Sequence, residues 1–209
     1  PCKKCGQLPC VCVKKVKVKL KDGSETEITH NVETSFWGAD GQPLSVQEFL
    51  NSLYGKLPDF FKSEKQLREI WSLPNTRQEL LEQLGNAGFD REDLKTLQRL
   101  IEAEKCDLFD VLEFVAFSVK PITREDRVSS ASQSIFRLLN NEQKDFVNFV
   151  LERYILTGEE ELDQEKLPSL LTLKYKDVSP EVTDKLGGVS KIKEIFISLQ
   201  KELYKVKVA

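Results

Sequence analysis

Methionine is absent from this 209-residue sequence, and histidine occurs once, at His30. One imidazole cannot supply the two ligands of an H-E-x-x-H zinc motif, and no nucleophile set is evident around it. No G-x-x-x-x-G-K-[ST] phosphate loop is present; the Gly55-Lys56 pair runs into Leu57 and Pro58. No apolar run approaches the roughly 18 residues of a membrane-spanning helix, and the first residues lack the regions of a signal peptide. The expected compartment is therefore the cytoplasm, with no membrane partner. A chain that opens on Pro1 without any Met is expected to be part of a longer product.

What is present is the composition of a soluble, folded chain, 40% apolar and 31% charged. The net charge of −3 hides an asymmetry, because positions 1–21 hold seven lysines and no acid. A basic arm on an acidic body hints at phosphate or nucleic acid at one end, against the plainer reading of a solvated strand face.

Four of the five cysteines crowd the start, Cys2, Cys5, Cys10 and Cys12, as C-x2-C-G-x3-C-x-C. That density in a reducing compartment points to a small Cys-rich knuckle holding structural Zn2+, since four thiolates leave no open catalytic position. Disulfides are the competing reading, although a C-x-C bridge is strained. His30 is either a fifth zinc ligand or an ordinary strand-end residue.

Positions 13–30 read as a β-hairpin. Val16, Val18 and Leu20 alternate with Lys15, Lys17, Lys19 and Lys21, and Asp22-Gly23 supplies a turn. A two-residue turn sets Val18 against Glu27. Pairing Lys21 with Glu25 instead matches Lys19 to Glu27 and Val18 to Ile28, the expected register. Lys14, Lys15, Lys17 and Lys19 are candidate DNA contacts. In the loop that follows, Phe36 and Trp37 are expected to bury and anchor the hairpin, with an exposed aromatic platform as the alternative.

From Ser45 onward caps and stripes repeat. Ser45-x-x-Glu48, Ser63, Thr76-x-x-Glu79, Asp90, Thr123-x-x-Asp126, Asn141, Ser179-Pro180 and Ser190 each open a helical pattern. The most apolar stretch is 106–120, where Leu108, Val111, Leu112, Val115 and Val119 fall at helical spacing and Phe109, Phe114 and Phe117 widen the stripe. Such a helix has to be enclosed, and Pro121 is expected to stop it. Cys106 reads as a small buried hydrophobe. The fold class is mainly α: a bundle of about eight to ten helices behind an N-terminal β-hairpin and the knuckle. The segments are 1–12 knuckle, 13–43 hairpin and linker, 44–171 helical body and 172–209 C-terminal helical piece.

Two apparent acidic motifs are discounted. Pro58-Asp59 with Glu142-Gln143-Lys144 imitates a P-D…E-x-K nuclease, but that chemistry needs strand ends, and both segments read as helical. Glu159-Glu160-Glu161 with Asp163 reads as a solvated helix start.

The strings DLFDVLEFVAFSVKPITREDR, VKVKLKDGSETEITHNVETSFWGADGQPLSVQEFL, LYGKLPDFF, LREIWSLPNTRQELLEQL and ELDQEKLPSLLTLKY together resemble the C-terminal region of the R subunit of type I restriction enzymes, EcoEI-like class. The resemblance implies a multisubunit enzyme that recognises a bipartite DNA site, translocates DNA with ATP and cuts far away. It also implies that the nuclease and motor domains, with their ATP and Mg2+, lie upstream. This region is then expected to be non-catalytic and to dock the R subunit onto the methyltransferase (M) and specificity (S) subunits, reaching duplex DNA through the parent enzyme. The alternative is an auxiliary DNA-contacting module using the knuckle and lysine hairpin. For docking, the exposed candidates are Trp71, Arg77, Arg124, Arg127 and the last helix.

Overall fold

The computed structural model describes residues 14–30, 36–38 and 40–205. Cys2, Cys5, Cys10 and Cys12 lie outside the described residues. Among the described residues the fold is mainly α, with ten α-helices behind an antiparallel hairpin. The chain divides into two compact units. The first holds residues 1–62, 81–104 and 108–121; the second holds 63–80, 105–107 and 122–209. These units interleave along the chain, and the boundary expected at 171/172 falls inside the second.

In the first unit, β1 (Lys14–Lys19) pairs with β2 (Glu25–His30), setting Val16 against Ile28, Lys17 against Glu27, Val18 against Thr26 and Lys19 against Glu25. This corrects the expected register by two residues, a shift that leaves every side chain on its expected face. The cause is the loop. Leu20 N–H donates to the Ser24 carbonyl at 2.8 Å and Gly23 N–H to the Leu20 carbonyl at 3.0 Å, with Gly23 at φ +81°. That is a turn closed by a left-handed glycine at its last position, so the loop is residues 21–23 rather than the 22–24 that pairing Lys21 with Glu25 implies. The ribbon of β3 (Phe36–Trp37) and β4 (Pro43–Leu44) is closed the same way, through Gly41 at φ +73°. In both loops the aspartate before the glycine accepts from a backbone N–H two residues on, Asp22 from Ser24 and Asp40 from Gln42.

Helix α1 (Val46–Lys56) opens on the Ser45–Glu48 capping box and carries the hairpin. Gln47 grips the outer edge of β1, its Oε1 accepting from Lys19 N–H at 2.9 Å. Val18 and Ile28 are buried, and Thr29 Oγ1 donates to Glu102 Oε1 at 2.7 Å. Phe36 stacks on Phe49 with centroids 4.0 Å apart, and Phe49 meets Phe89 edge-on at 5.7 Å. Phe36 is therefore the anchor expected, but Trp37 is 60% exposed, which corrects the expectation that both bury. Successive strand residues face opposite ways, so only one of the two can reach the core.

Helix α2 (Glu64–Trp71) belongs to the second unit, and α3 (Pro74–Asn86) starts there and ends in the first. The start of α3 is Pro74, two residues before the expected Thr76 cap; proline suits the first helical position, and the Thr76 hydroxyl instead donates to the Leu73 carbonyl at 3.2 Å. The first unit continues with α4 (Arg91–Leu100), capped by Asp90, and α5 (Leu108–Phe117). Helix α5 is enclosed as expected, with every residue from Leu108 to Ala116 buried. It ends at Phe117, four residues before Pro121, where Ser118 turns left-handed at φ +56°.

The second unit adds α6 (Arg124–Phe136), α7 (Asn141–Thr157), α8 (Leu167–Tyr175), α9 (Pro180–Lys185) and α10 (Val189–Lys205). Thr123 caps α6, Ser179 caps α9, and Asn140, one residue before the expected position, forms the capping box of α7 with Gln143. Helix α10 packs along α6 and α2. Among the described residues no helix is long and apolar enough to cross a membrane.

Leu112, fully buried in α5, tests the first unit. Leu112→Ala should cost about 2–5 kcal/mol in denaturant unfolding, and Leu112→Asp should abolish cooperative folding. A soluble Leu112→Asp variant with a normal unfolding transition contradicts this account.

Candidate functional site

Chemistry-bearing side chains converge most densely in the second unit, around Asp107. Its carboxylate is fully buried and accepts hydrogen bonds from the hydroxyls of Tyr154 on α7 and Tyr204 on α10, the latter at 2.8 Å. Arg124 and Arg127, one turn apart on α6, each bring a guanidinium nitrogen to 3.6 Å from it. The Arg127 guanidinium also lies over the Tyr204 ring, 4.9 Å from its centroid. Arg124 donates further to the carbonyls of Cys106 and Ile155, and its own N–H reaches the Lys105 carbonyl. Three helices and the 105–107 segment are thereby tied to one carboxylate.

A second knot is continuous with the first through Tyr204. Arg77 on α3 is buried; it donates to Asp163 Oδ1 at 3.0 Å and Gln200 Oε1 at 3.1 Å. Trp71 meets Tyr204 edge-on at 6.5 Å, and Arg68 Nη1 donates to the Tyr204 carbonyl at 3.1 Å. Burial, then the Asp107 charge, holds both phenols protonated well above a phenol's ordinary value. The buried carboxylate of Glu159 pushes Tyr204 in the same direction, while Arg77 and Arg127 oppose it.

These positions correct several expectations. Trp71, Arg77 and Arg127 are not exposed: their side chains are 0, 1 and 1% accessible and belong to the interior. Arg124 is largely buried as well, at 11% of its side chain. The spacing had carried the signal for Arg127, which falls on the same buried stripe as Ala131 and Ile135. Sequence reasoning missed Asp107, Tyr154, Tyr204, Asp163 and Gln200 as a polar network, because their partners lie far along the chain. The acidic run is also less solvated than expected. Glu159 is buried, Glu161 pairs with Arg153 at 3.2 Å, and Asp163 pairs with Arg77. The nuclease look-alike stays discounted: Asp59 sits in a 3-10 turn beside Lys56 and Glu142 in α7.

The hairpin places Lys15, Lys17 and Lys19 on one exposed face of β1; Lys14 belongs to the strand by its backbone. Glu27 and Glu25 stand opposite Lys17 and Lys19 on that face and offset two of the three charges.

The expectation of structural Zn2+ is corrected. Among the described residues no group of three or more His, Cys, Asp or Glu could hold a metal ion. Cys106, near the start of α5, is buried, in keeping with the expected small hydrophobe.

The sequence matches the family described as EcoEI R protein C-terminal over residues 47–204, which is α1 through nearly all of α10. No curated protein and no solved structure matches.

Two measurements check the network. Asp107→Asn keeps the shape but strands buried guanidinium charge, and should cost about 3–5 kcal/mol in unfolding of the second unit. For the phenols, the folded chain holds each proton more tightly than the unfolded chain does. Their contribution is therefore intact below pH about 10 and is lost as pH rises toward the raised folded values. Tyr154→Phe should shallow the fall of stability above pH 10 by close to one proton; an unchanged slope refutes the assignment.

Proposed function

We propose that this chain, which belongs to the EcoEI R protein C-terminal family, is a non-catalytic assembly and docking module of a type I restriction R subunit, whose partners are the methyltransferase and specificity subunits of the same complex. The observation that carries the reading is the extent of the match, which takes in the helical part of both units and leaves out the hairpin strands. A docking role also agrees with the use of the interior charges. Asp107, Arg77 and Arg127 are committed to holding helices together, inaccessible to any substrate. In the parent enzyme the module would couple the ATP-dependent, DNA-translocating endonuclease to its methyltransferase core, in the cytoplasm. ATP and Mg2+ belong in that reading to the motor and nuclease domains.

A second reading, an auxiliary DNA contact, is favoured by one observation: Lys15, Lys17 and Lys19 share an exposed strand face. The opposing Glu25 and Glu27 weaken it, because a phosphate backbone meets a face of nearly balanced charge.

Salt separates the two. Docking predicts that the purified chain captures the methyltransferase subunit with a salt dependence much shallower than phosphate contact gives. Phosphate contact predicts binding of duplex DNA whose log affinity falls with log salt by about 0.9 per neutralised phosphate, and which Lys15→Ala/Lys17→Ala/Lys19→Ala abolishes. Steep, lysine-dependent DNA binding without subunit capture would overturn the docking reading.

A further inference from the structure

In the second unit a groove of about 600 Å³ opens between α2 and α10. Its lining is mostly carbon: Leu73, the buried Tyr204, and the aliphatic stems of Lys65, Arg68 and Lys201. Its charge is one-sided. Lys65, Arg68, Lys201 and Lys205 line it against Glu64 and Glu69, on a chain whose net charge is −3. The pairs at its rim are long, Lys65 to Glu69 at 3.9 Å and Lys205 to the half-buried Glu202 at 3.5 Å, and both lysines are exposed, so they neutralise little. Lys201 is exposed and has no ion-pair partner among the described residues. The wall at Tyr204 is rigid, since Asp107 holds its hydroxyl and Arg68 its carbonyl.

A preformed, carbon-lined groove between two helices, rimmed by cations, fits the apolar face of a third helix flanked by carboxylates. We propose that this groove is the docking seat: it takes an acidic amphipathic helix of the partner subunit. The apolar side chains fill the space between α2 and α10, and carboxylates on either side meet Lys65, Lys201 and Lys205. Excess cationic charge at the rim selects an acidic partner over a basic one and speeds its arrival. This rests on the docking reading above and names the surface it uses.

The test uses the full chain, immobilised, with the purified methyltransferase subunit as the probe. Lys65→Glu/Lys201→Glu reverses two exposed rim charges, and Ser72→Trp fills the groove from its side. Thermal unfolding of each variant confirms that it folds. Each is expected to weaken capture by about tenfold or more, while Lys15→Ala/Lys17→Ala/Lys19→Ala captures as the parent chain does. If the parent chain captures the subunit and both groove variants capture it equally well, the groove is not the seat and the docking reading stands. If Ser72→Trp alone loses capture, the acidic character of the occupant is overturned. If the parent chain self-associates and the same variants abolish that instead, the occupant is a second copy. Failure of the parent chain to capture the subunit at all overturns the docking reading itself.

Discussion

One buried carboxylate organises the second unit. Asp107 accepts from phenols on α7 and α10 and faces two guanidiniums on α6, so the approach of three helices is fixed at a single point. Hydrophobic packing alone would let α10 slide or rotate against α6 at small cost. A buried charge cannot slide, because any other arrangement leaves an ion without its partners in a medium of low dielectric. The Arg77 cluster does the same for α3, the 163 region and α10. The aliphatic residues of α10, Ile192, Ile195, Phe196, Leu199 and Leu203, provide the burial. The polar network selects the geometry in which that burial occurs.

This division of labour decides which charges remain available for recognition. The arginines that read as a docking patch are spent on the interior, and the cations of the hairpin face and of the α2–α10 groove are mostly lysines. On the hairpin those lysines are matched across the ribbon by glutamates; between α2 and α10 they outnumber the acids and border an apolar groove. The same residue type thus carries different meaning at the two places. The difference lies in its neighbours rather than in its own chemistry.

Local features were legible in the sequence and long-range ones were not. The caps at Ser45, Ser63, Asp90, Thr123 and Ser179 depend on contacts within a few residues, and each is found where its motif stands. The enclosure of α5 followed from its composition. The hairpin register depended on whether Gly23 takes a left-handed conformation as the last residue of the loop, which a charge-matching argument does not see. Burial of Arg77, Arg124 and Arg127 depended on Asp163, Gln200 and Asp107. An arginine stripe on a helix looks the same in sequence whether its carboxylate is solvent-side or buried beneath it. The family strings identified the enzyme to which the region belongs, but not the surface it uses.

The span of the network also bears on how the second unit is made. Arg77 meets Asp163 across 86 positions and Gln200 across 123, and Asp107 meets Tyr204 across 97. Helical proteins usually fold fast because their contacts are local; here the defining contacts pay a large loop-closure entropy before they form. During synthesis the ribosome delivers Trp71, Arg77 and Asp107 well before the helix that covers them. Until α10 emerges, an indole and several interior charges stand in water, a state open to chaperones and proteases. Helix α10, the latest of the ten described helices to emerge, is thus the one that commits the second unit to its fold.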